Sequence, residues 1–286
     1  MGSTLTMSNR ISDSATRQQG TRLGQQNAPL PPPSELWEKE EILRSAAGAQ
    51  ETKIHRPEFA RYAAPPADTA YPLEYAYHLL GQSSDKVIVD LGCGSGENIP
   101  LLAKRGAAHV IGIDISPDLL SVAAERLRQS DTKAELREAS VYDTGLQSES
   151  VDAIFCIALL HHLDLAKARN EILRILRPGG VMVVMEPVRD SQVYDRLRKV
   201  IPTDSAEVSS YERPLRTSEI YEFAAGFEQS RSRRFRLPFI PLLDLLKLGA
   251  VRSFWKLDRW LLNASPFLSR YATVEVLRLE KTIPRG

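Results

Sequence analysis

The sequence predicts an α/β protein built on a doubly wound, mostly parallel seven-stranded sheet, with an N-terminal helical segment and a helical insert between the last two strands. Three observations carry this. From Asp85 to Pro187, apolar β-branched runs alternate with helical patterns. The first run ends in a turn with glycine at every second position. Two further alternating runs lie near the C-terminus, separated by a long apolar stretch.

Val87-Ile88-Val89-Asp90 reads as a buried strand with an acidic tip. Gly92, Gly94 and Gly96 then allow backbone angles that side chains forbid, and bring main-chain N–H groups close to a ligand. Glu97 to Arg105 reads as a helix, with Ile99, Leu101, Leu102 and Ala103 on its apolar side and Pro100 in a tolerant first turn. Strand, glycine turn and helix make the nucleotide-binding corner of a doubly wound sheet. His109 to Ile113 is the second strand, and Asp114 at its tip is placed to take both hydroxyls of a ribose. A dinucleotide fingerprint would need a third glycine at position 97, where Glu97 stands. The pattern therefore suits an adenosine nucleoside and argues against a nicotinamide oxidoreductase.

The remaining elements follow in order. Ser116-Pro117-Asp118 opens a helix through Arg128. Ala134 to Glu138 is the third strand and Val151 to Ile157 the fourth. Asp164 caps a helix to about Arg177, stopped by Pro178-Gly179-Gly180. Val181 to Met185 is the fifth strand, ending in Glu186-Pro187. Asp190 to Val200 reads as a helix, Pro202 to Pro214 as a polar loop, and Thr217 as the cap of a helix reaching Ala225. Glu228 to Leu237 and Tyr271 to Leu279 alternate like strands. The apolar stretch between them, residues 238–270, should be helical, and a connection this long is often functional.

At the other end, residues 1–34 are rich in Ser, Thr, Gln and Arg and close on prolines, so a disordered tail is expected. Met1-Gly2 with Thr6 fits an acylation pattern, which a Ser/Thr-rich tail also meets by chance. The tail is Arg-bearing and acid-poor, as transit peptides are. Ser34 caps a helix with Leu36, Trp37, Ile42 and Leu43 as its stripe. Residues 57–80 carry Phe59, Tyr62, Tyr71, Tyr75 and Tyr77, which read as cover for the sheet, a role compatible with a further one. Residues 35–84 form an N-terminal cap ahead of the main domain, 85–286.

The net charge of +1 over 286 residues gives no global field for nucleic acid. Cys93 and Cys156 make no disulfide framework and read as buried thiols of a reducing, cytoplasmic setting. No apolar run approaches a membrane span. No His/Cys cluster has metal-ligand spacing, so no metal is expected.

Asp90-Leu91-Gly92-Cys93-Gly94-Ser95-Gly96, Gly112-Ile113-Asp114-Ile115-Ser116, Leu160-His161-His162-Leu163 and Leu176-Arg177-Pro178-Gly179-Gly180 together resemble the class I S-adenosylmethionine-dependent methyltransferases, specifically the small-molecule type 11 group. The resemblance covers roughly Asp85 to Pro187. It implies a Rossmann-like methyltransferase fold, S-adenosylmethionine as cofactor, and a last pair of neighbouring strands, one running against the sheet. It implies that Asp90, Gly92, Cys93, Gly94 and Gly96 hold the methionine half of the cofactor, that Asp114 binds its ribose, and that Ile115 packs on its adenine. It puts Ser140, with Val141 beside it, where relatives often carry an acid for the adenine amino group; Asp143 is the alternative. Ile157, closing the fourth strand, joins this set. The segment before the first strand would fold over the cofactor.

Methyl transfer asks the protein to align acceptor, methyl and sulfur, and usually to remove a proton. His161 and His162 follow the fourth strand and are candidate bases, with a structural role as the alternative. Glu186 is a second candidate at the tip of the fifth strand. Arg231, Arg233, Arg234 and Arg236 read as a solvated edge, with anion or lipid-headgroup binding as the alternative. The aromatic insert caps the active site or rests weakly on a membrane surface. The expected activity is methylation of a small, apolar or amphiphilic molecule, at oxygen before carbon or nitrogen. A cofactor-binding regulatory or scaffold protein is the alternative. Oligomeric state is not legible.

Overall fold

The structure, a computed structural model, describes residues 34–51, 54, 58–190, 214–240, 243 and 252–283. The tail expected before Ser34, the helix beyond Asp190, the loop before Pro214 and residues 244–251 of the insert lie outside them. The elements are α1 (Ser34–Glu51), α2 (Phe59–Ala63), α3 (Pro72–Leu80), β1 (Val87–Leu91), α4 (Ile99–Lys104), β2 (His109–Asp114), α5 (Pro117–Gln129), β3 (Glu135–Glu138), β4 (Val151–Ile157), α6 (Leu165–Ile175), β5 (Leu176–Pro187), α7 (Thr217–Ala224), β6 (Phe227–Phe235), α8 (Arg252–Ala264) and β7 (Val274–Lys281).

The seven strands form one sheet in the order β3-β2-β1-β4-β5-β7-β6. β7 runs antiparallel to both β5 and β6, and the other pairs are parallel. The order reverses between β1 and β4, so the carboxyl ends of these two strands flank a crevice suited to a ligand. The central strands are buried on both faces: Ile88, Val89, Ile154 and Phe155 are fully enclosed. Tyr77 from α3 packs on Phe155 with ring centroids 4.7 Å apart, and Tyr75 packs on Phe235 at 5.5 Å. These two tyrosines cover the sheet.

Three local expectations change. Residues 177–180 loop out of the ladder, because Leu176 already pairs with Val151 before Val181 pairs with Ala153. The Pro-Gly-Gly turn therefore lies inside β5 rather than between helix and strand. Thr217 is the first helical residue of α7, not its cap; the cap is Arg216, whose N–H donates to Glu219 at 2.8 Å. Residues 266–271 coil into a 3-10 turn, which delays the start of β7 to Val274. By contrast, Ser116 caps α5 and Asp164 caps α6 through their side chains as expected. No described helix is long and apolar enough to cross a membrane.

Candidate functional site

All three glycines of the turn after β1 have positive φ: 68° at Gly92, 49° at Gly94 and 74° at Gly96. Their uses differ. A Cβ at Gly96 would stand 2.8 Å from that of Ala123, so this glycine lets the turn pack against α5. A Cβ at Gly92 would meet Leu159 at 2.7 Å, whereas one at Gly94 would meet nothing within 4 Å. Four of the turn's donors are occupied within the protein. Gly92 and Cys93 donate to Ile113 O, Gly96 donates to Cys93 O, and Gly94 donates to Asp114 Oδ2 at 2.7 Å. This corrects the expectation that those N–H groups are offered to a ligand; what the turn offers is bare main chain at close range.

Asp114 is held by the backbone donors of Gly94, Ser116 and Ile115. An ionised carboxylate has about four lone-pair sites, so some acceptor capacity remains. Asp90 is fully buried, and its Oδ2 has no hydrogen-bond partner in the protein. Burial first, and then the charge of Asp114, push its carboxyl up to about 7 against a hydrogen bond from Asn98. Tyr77 in turn donates to Asn98 Oδ1 at 3.1 Å. Tyr77 and Asn98 thus fix the inner side of Asp90; sequence reasoning missed Asn98 and did not tie Tyr77 to Asp90. An asparagine at the mouth of the helix after a glycine turn was the available signal.

Gly92, Gly94, Asp114, Ile115, Val141 and His162 share the lining of one cavity of about 280 Å³. Asp90, Cys93, Gly96, Ser140 and Ile157 are not among its lining residues. Cys93 is buried, with its thiol pushed upward by burial, and its sulfur lies where a side chain on Gly112 would have to go. The opposite wall is α1, which contributes Glu38, Glu41 and Arg44. Ser140 donates its hydroxyl to Glu38, and Arg44 pairs with Glu41 at 2.7 Å. Sequence reasoning gave Glu38 and Glu41 no part in the site; both line it. With Asp114, three carboxylates and one guanidinium give this cavity a net negative lining.

The two histidines divide. His162 lines the cavity, with Nδ1 3.7 Å from Glu41. His161 lies beside it, ring centroids 4.0 Å apart, and its Nδ1 bonds Glu186 Oε2 at 2.8 Å. Glu186 is fully buried, and its other oxygen accepts the N–H groups of Leu159 and Leu160. It reaches the site only through the loop it anchors.

The insert is helical where it is described. The carboxylate of Asp258 on α8, wholly buried, accepts the N–H groups of Arg236 and Leu237 just past the end of β6. Trp255 packs on Tyr71 at 5.5 Å. The basic run is not a uniformly solvated edge: Arg233 and Arg234 are half-buried and bonded, while Arg231 is exposed.

A family described as "Methyltransferase domain" matches residues 89–184. The chain is 28% identical over 185 residues to a ubiquinone biosynthesis O-methyltransferase of Alkalilimnicola ehrlichii, covering 62% of this chain and 73% of that protein. It is 36% identical over 118 residues to a trans-aconitate 2-methyltransferase of Azoarcus, covering 40% and 44%. Among solved structures, the geranyl diphosphate C-methyltransferase of Streptomyces coelicolor aligns with a TM-score of 0.58 at 15% identity, over 86% of this chain and 98% of that one. The cyclase SpnF aligns at 0.52 and 17% identity, over 88% and 95%. These structural likenesses concern the fold.

Proposed function

We propose that this chain, a class I S-adenosylmethionine-dependent methyltransferase, delivers its methyl group to an oxygen atom of a small, uncharged, apolar or amphiphilic molecule. The cofactor, S-adenosylmethionine, supplies an activated methyl on a cationic sulfur. The residues present fit it. The Gly94 main chain is open to the cavity, and Asp114 lines the same cavity with acceptor capacity left for a ribose hydroxyl. Asp90 Oδ2 is a buried acceptor without a partner, suited to an ammonium group. The net negative lining suits a cation and disfavours an acidic acceptor.

The observation that carries the oxygen reading is His162, an imidazole on the wall of the same cavity. A hydroxyl acceptor must lose its proton as the new bond forms, and a neutral imidazole is the side chain suited to take it near neutral pH. Glu186 and His161 then serve as positioning residues. The two curated relatives support methyl transfer to small molecules, one of them at oxygen by its name. On this reading α1 is a lid over the cofactor, and α8 with the residues after it helps to close the acceptor side.

A transfer assay tests this. The protein is incubated with methyl-labelled S-adenosylmethionine and extract of its source cells, and the label is partitioned. Label in an organic-soluble product, shown by mass spectrometry to be a methyl ether, supports the reading; a methyl ester would point to an acidic acceptor and overturn it. Label in protein or nucleic acid, or a product methylated at carbon or nitrogen, overturns the acceptor class.

A further inference from the structure

A second cavity, of about 500 Å³, lies between β6, α7, α8 and the turn at 266–271. β6 is an edge strand four positions from β1. At about 4.8 Å per strand that is about 19 Å from the glycine turn. An acceptor atom must stand within about 3.5 Å of the carbon it attacks. A small molecule confined to this cavity is therefore out of reach of methyl transfer.

Four arginines line it: Arg233, Arg234, Arg259 and Arg270. Arg234 is shared between Asp190 at 2.9 Å and Glu275 at 3.4 Å, and Arg259 meets Asp68 at 2.8 Å. The other two have no ion pair among the described residues. Arg233 donates to the carbonyls of Ala67 and Thr69 and lies over the ring of Phe235 at 4.2 Å. Arg270 is exposed and lies over the rings of Phe267 and Tyr271. Four cations against three acids leave an excess of positive charge. Glu275 is 1% exposed, and its Oε2 makes only a long contact, 3.4 Å, with the Arg234 guanidinium. Leu262 and Pro266 add apolar wall.

We propose that this cavity is a second ligand site, which takes a small organic anion: a carboxylate or phosphate monoester with an apolar body. Arg270 and the shared Arg234 hold the anion through charge-assisted hydrogen bonds. Leu262 and Pro266 cover the body. Glu275 Oε2 accepts from a hydroxyl of the ligand. The site differs from the transfer cavity in the sign of its lining charge, so the two select different molecules.

The test uses full-length protein saturated with S-adenosylhomocysteine, which fills the transfer site. Phenyl phosphate, benzoate and neutral benzyl alcohol are titrated separately by calorimetry and by amide NMR. At least one anion is expected to bind saturably, at least about tenfold tighter than the alcohol, and to weaken with salt. The phosphate-to-carboxylate ratio then identifies the headgroup. Arg270→Gln should weaken the anion about tenfold, Arg270→Lys should recover most of it, and neither should move S-adenosylhomocysteine affinity. Absence of saturable anion binding overturns the site. So does binding that Arg270→Gln leaves within twofold.

Discussion

His161 donates Nδ1–H to Glu186, a carboxylate enclosed at the end of β5. A carboxylate can only accept, so Nδ1 carries the proton of this bond and the ring is held in one orientation. The same carboxylate anchors Leu159, whose side chain lies over Gly92. One buried acid therefore sets both a ring orientation and a wall of the cofactor cavity. Glu186→Gln replaces an oxygen acceptor by an amide donor facing another donor. It should cost about 1–3 kcal/mol, since one buried group loses its partner. Thermal unfolding should show a fall of a few degrees. A melting temperature unchanged from wild type would remove Glu186 from this role.

His162 should behave differently. His162→Gln is expected to lower kcat by about 10²- to 10⁴-fold, the usual contribution of a general base. Affinity for S-adenosylhomocysteine should change only a few-fold. If kcat of the variant stays within threefold once an acceptor is in hand, the base is another group.

The glycines offer a paired test. Gly94→Ala adds a methyl where the protein has nothing within 4 Å, so its structural cost is the left-handed φ, about 1–2 kcal/mol. S-adenosylhomocysteine affinity should nonetheless fall at least about tenfold. Gly96→Ala should lower the melting temperature further, because its Cβ collides with Ala123. Calorimetry and thermal melts on both variants separate the two effects, and equal losses of affinity and stability in both would show that Gly94 does not face the cofactor.

Asp90 makes a pH prediction. Its native value of about 7 lies above the unfolded value near 3.9. Between these limits the native state holds the extra proton, so its contribution to stability is present below about pH 4 and is lost as pH rises through 7. A cationic group beside Asp90 favours the ionised form. Cofactor binding should therefore release protons below pH 7 and weaken as pH drops from 8 to 6. Titration calorimetry at pH 6.5 in two buffers of different ionisation enthalpy counts the protons. A count of zero with flat affinity would separate Asp90 from the cofactor's amino group.

Asp114 carries the ribose assignment. Asp114→Ala should raise the dissociation constant of S-adenosylhomocysteine by at least about tenfold, since hydrogen bonds to a charged group contribute about 1.5–3 kcal/mol. An unchanged constant would sink the assignment.

The central sheet was legible because both its faces are covered. A strand buried on both sides must be apolar throughout, so Val87 to Val89 and Ala153 to Ile157 declare themselves in one dimension. The glycine turn and Asp114 were legible because φ and spacing constrain residue type locally. What stayed hidden depends on pairing across the chain. Nothing near Glu38 or Glu41 says that they face residues a hundred positions away. Glu186 sits at the strand tip where a ligand acid would, yet its side chain turns inward to two backbone donors. Arg233 reads as surface charge, but the rings of Tyr75 and Phe235 enclose it.

The contact between Glu38 and Ser140 spans 102 residues. During synthesis α1 emerges among the first elements, and at about 5–20 residues per second its partner follows roughly 5–20 s later. For that interval the helix lacks its hydrogen bond to Ser140, although α5, on which it also packs, emerges before the interval ends. The helix that walls the cavity thus precedes its docking surface in the chain, and that surface is completed in stages.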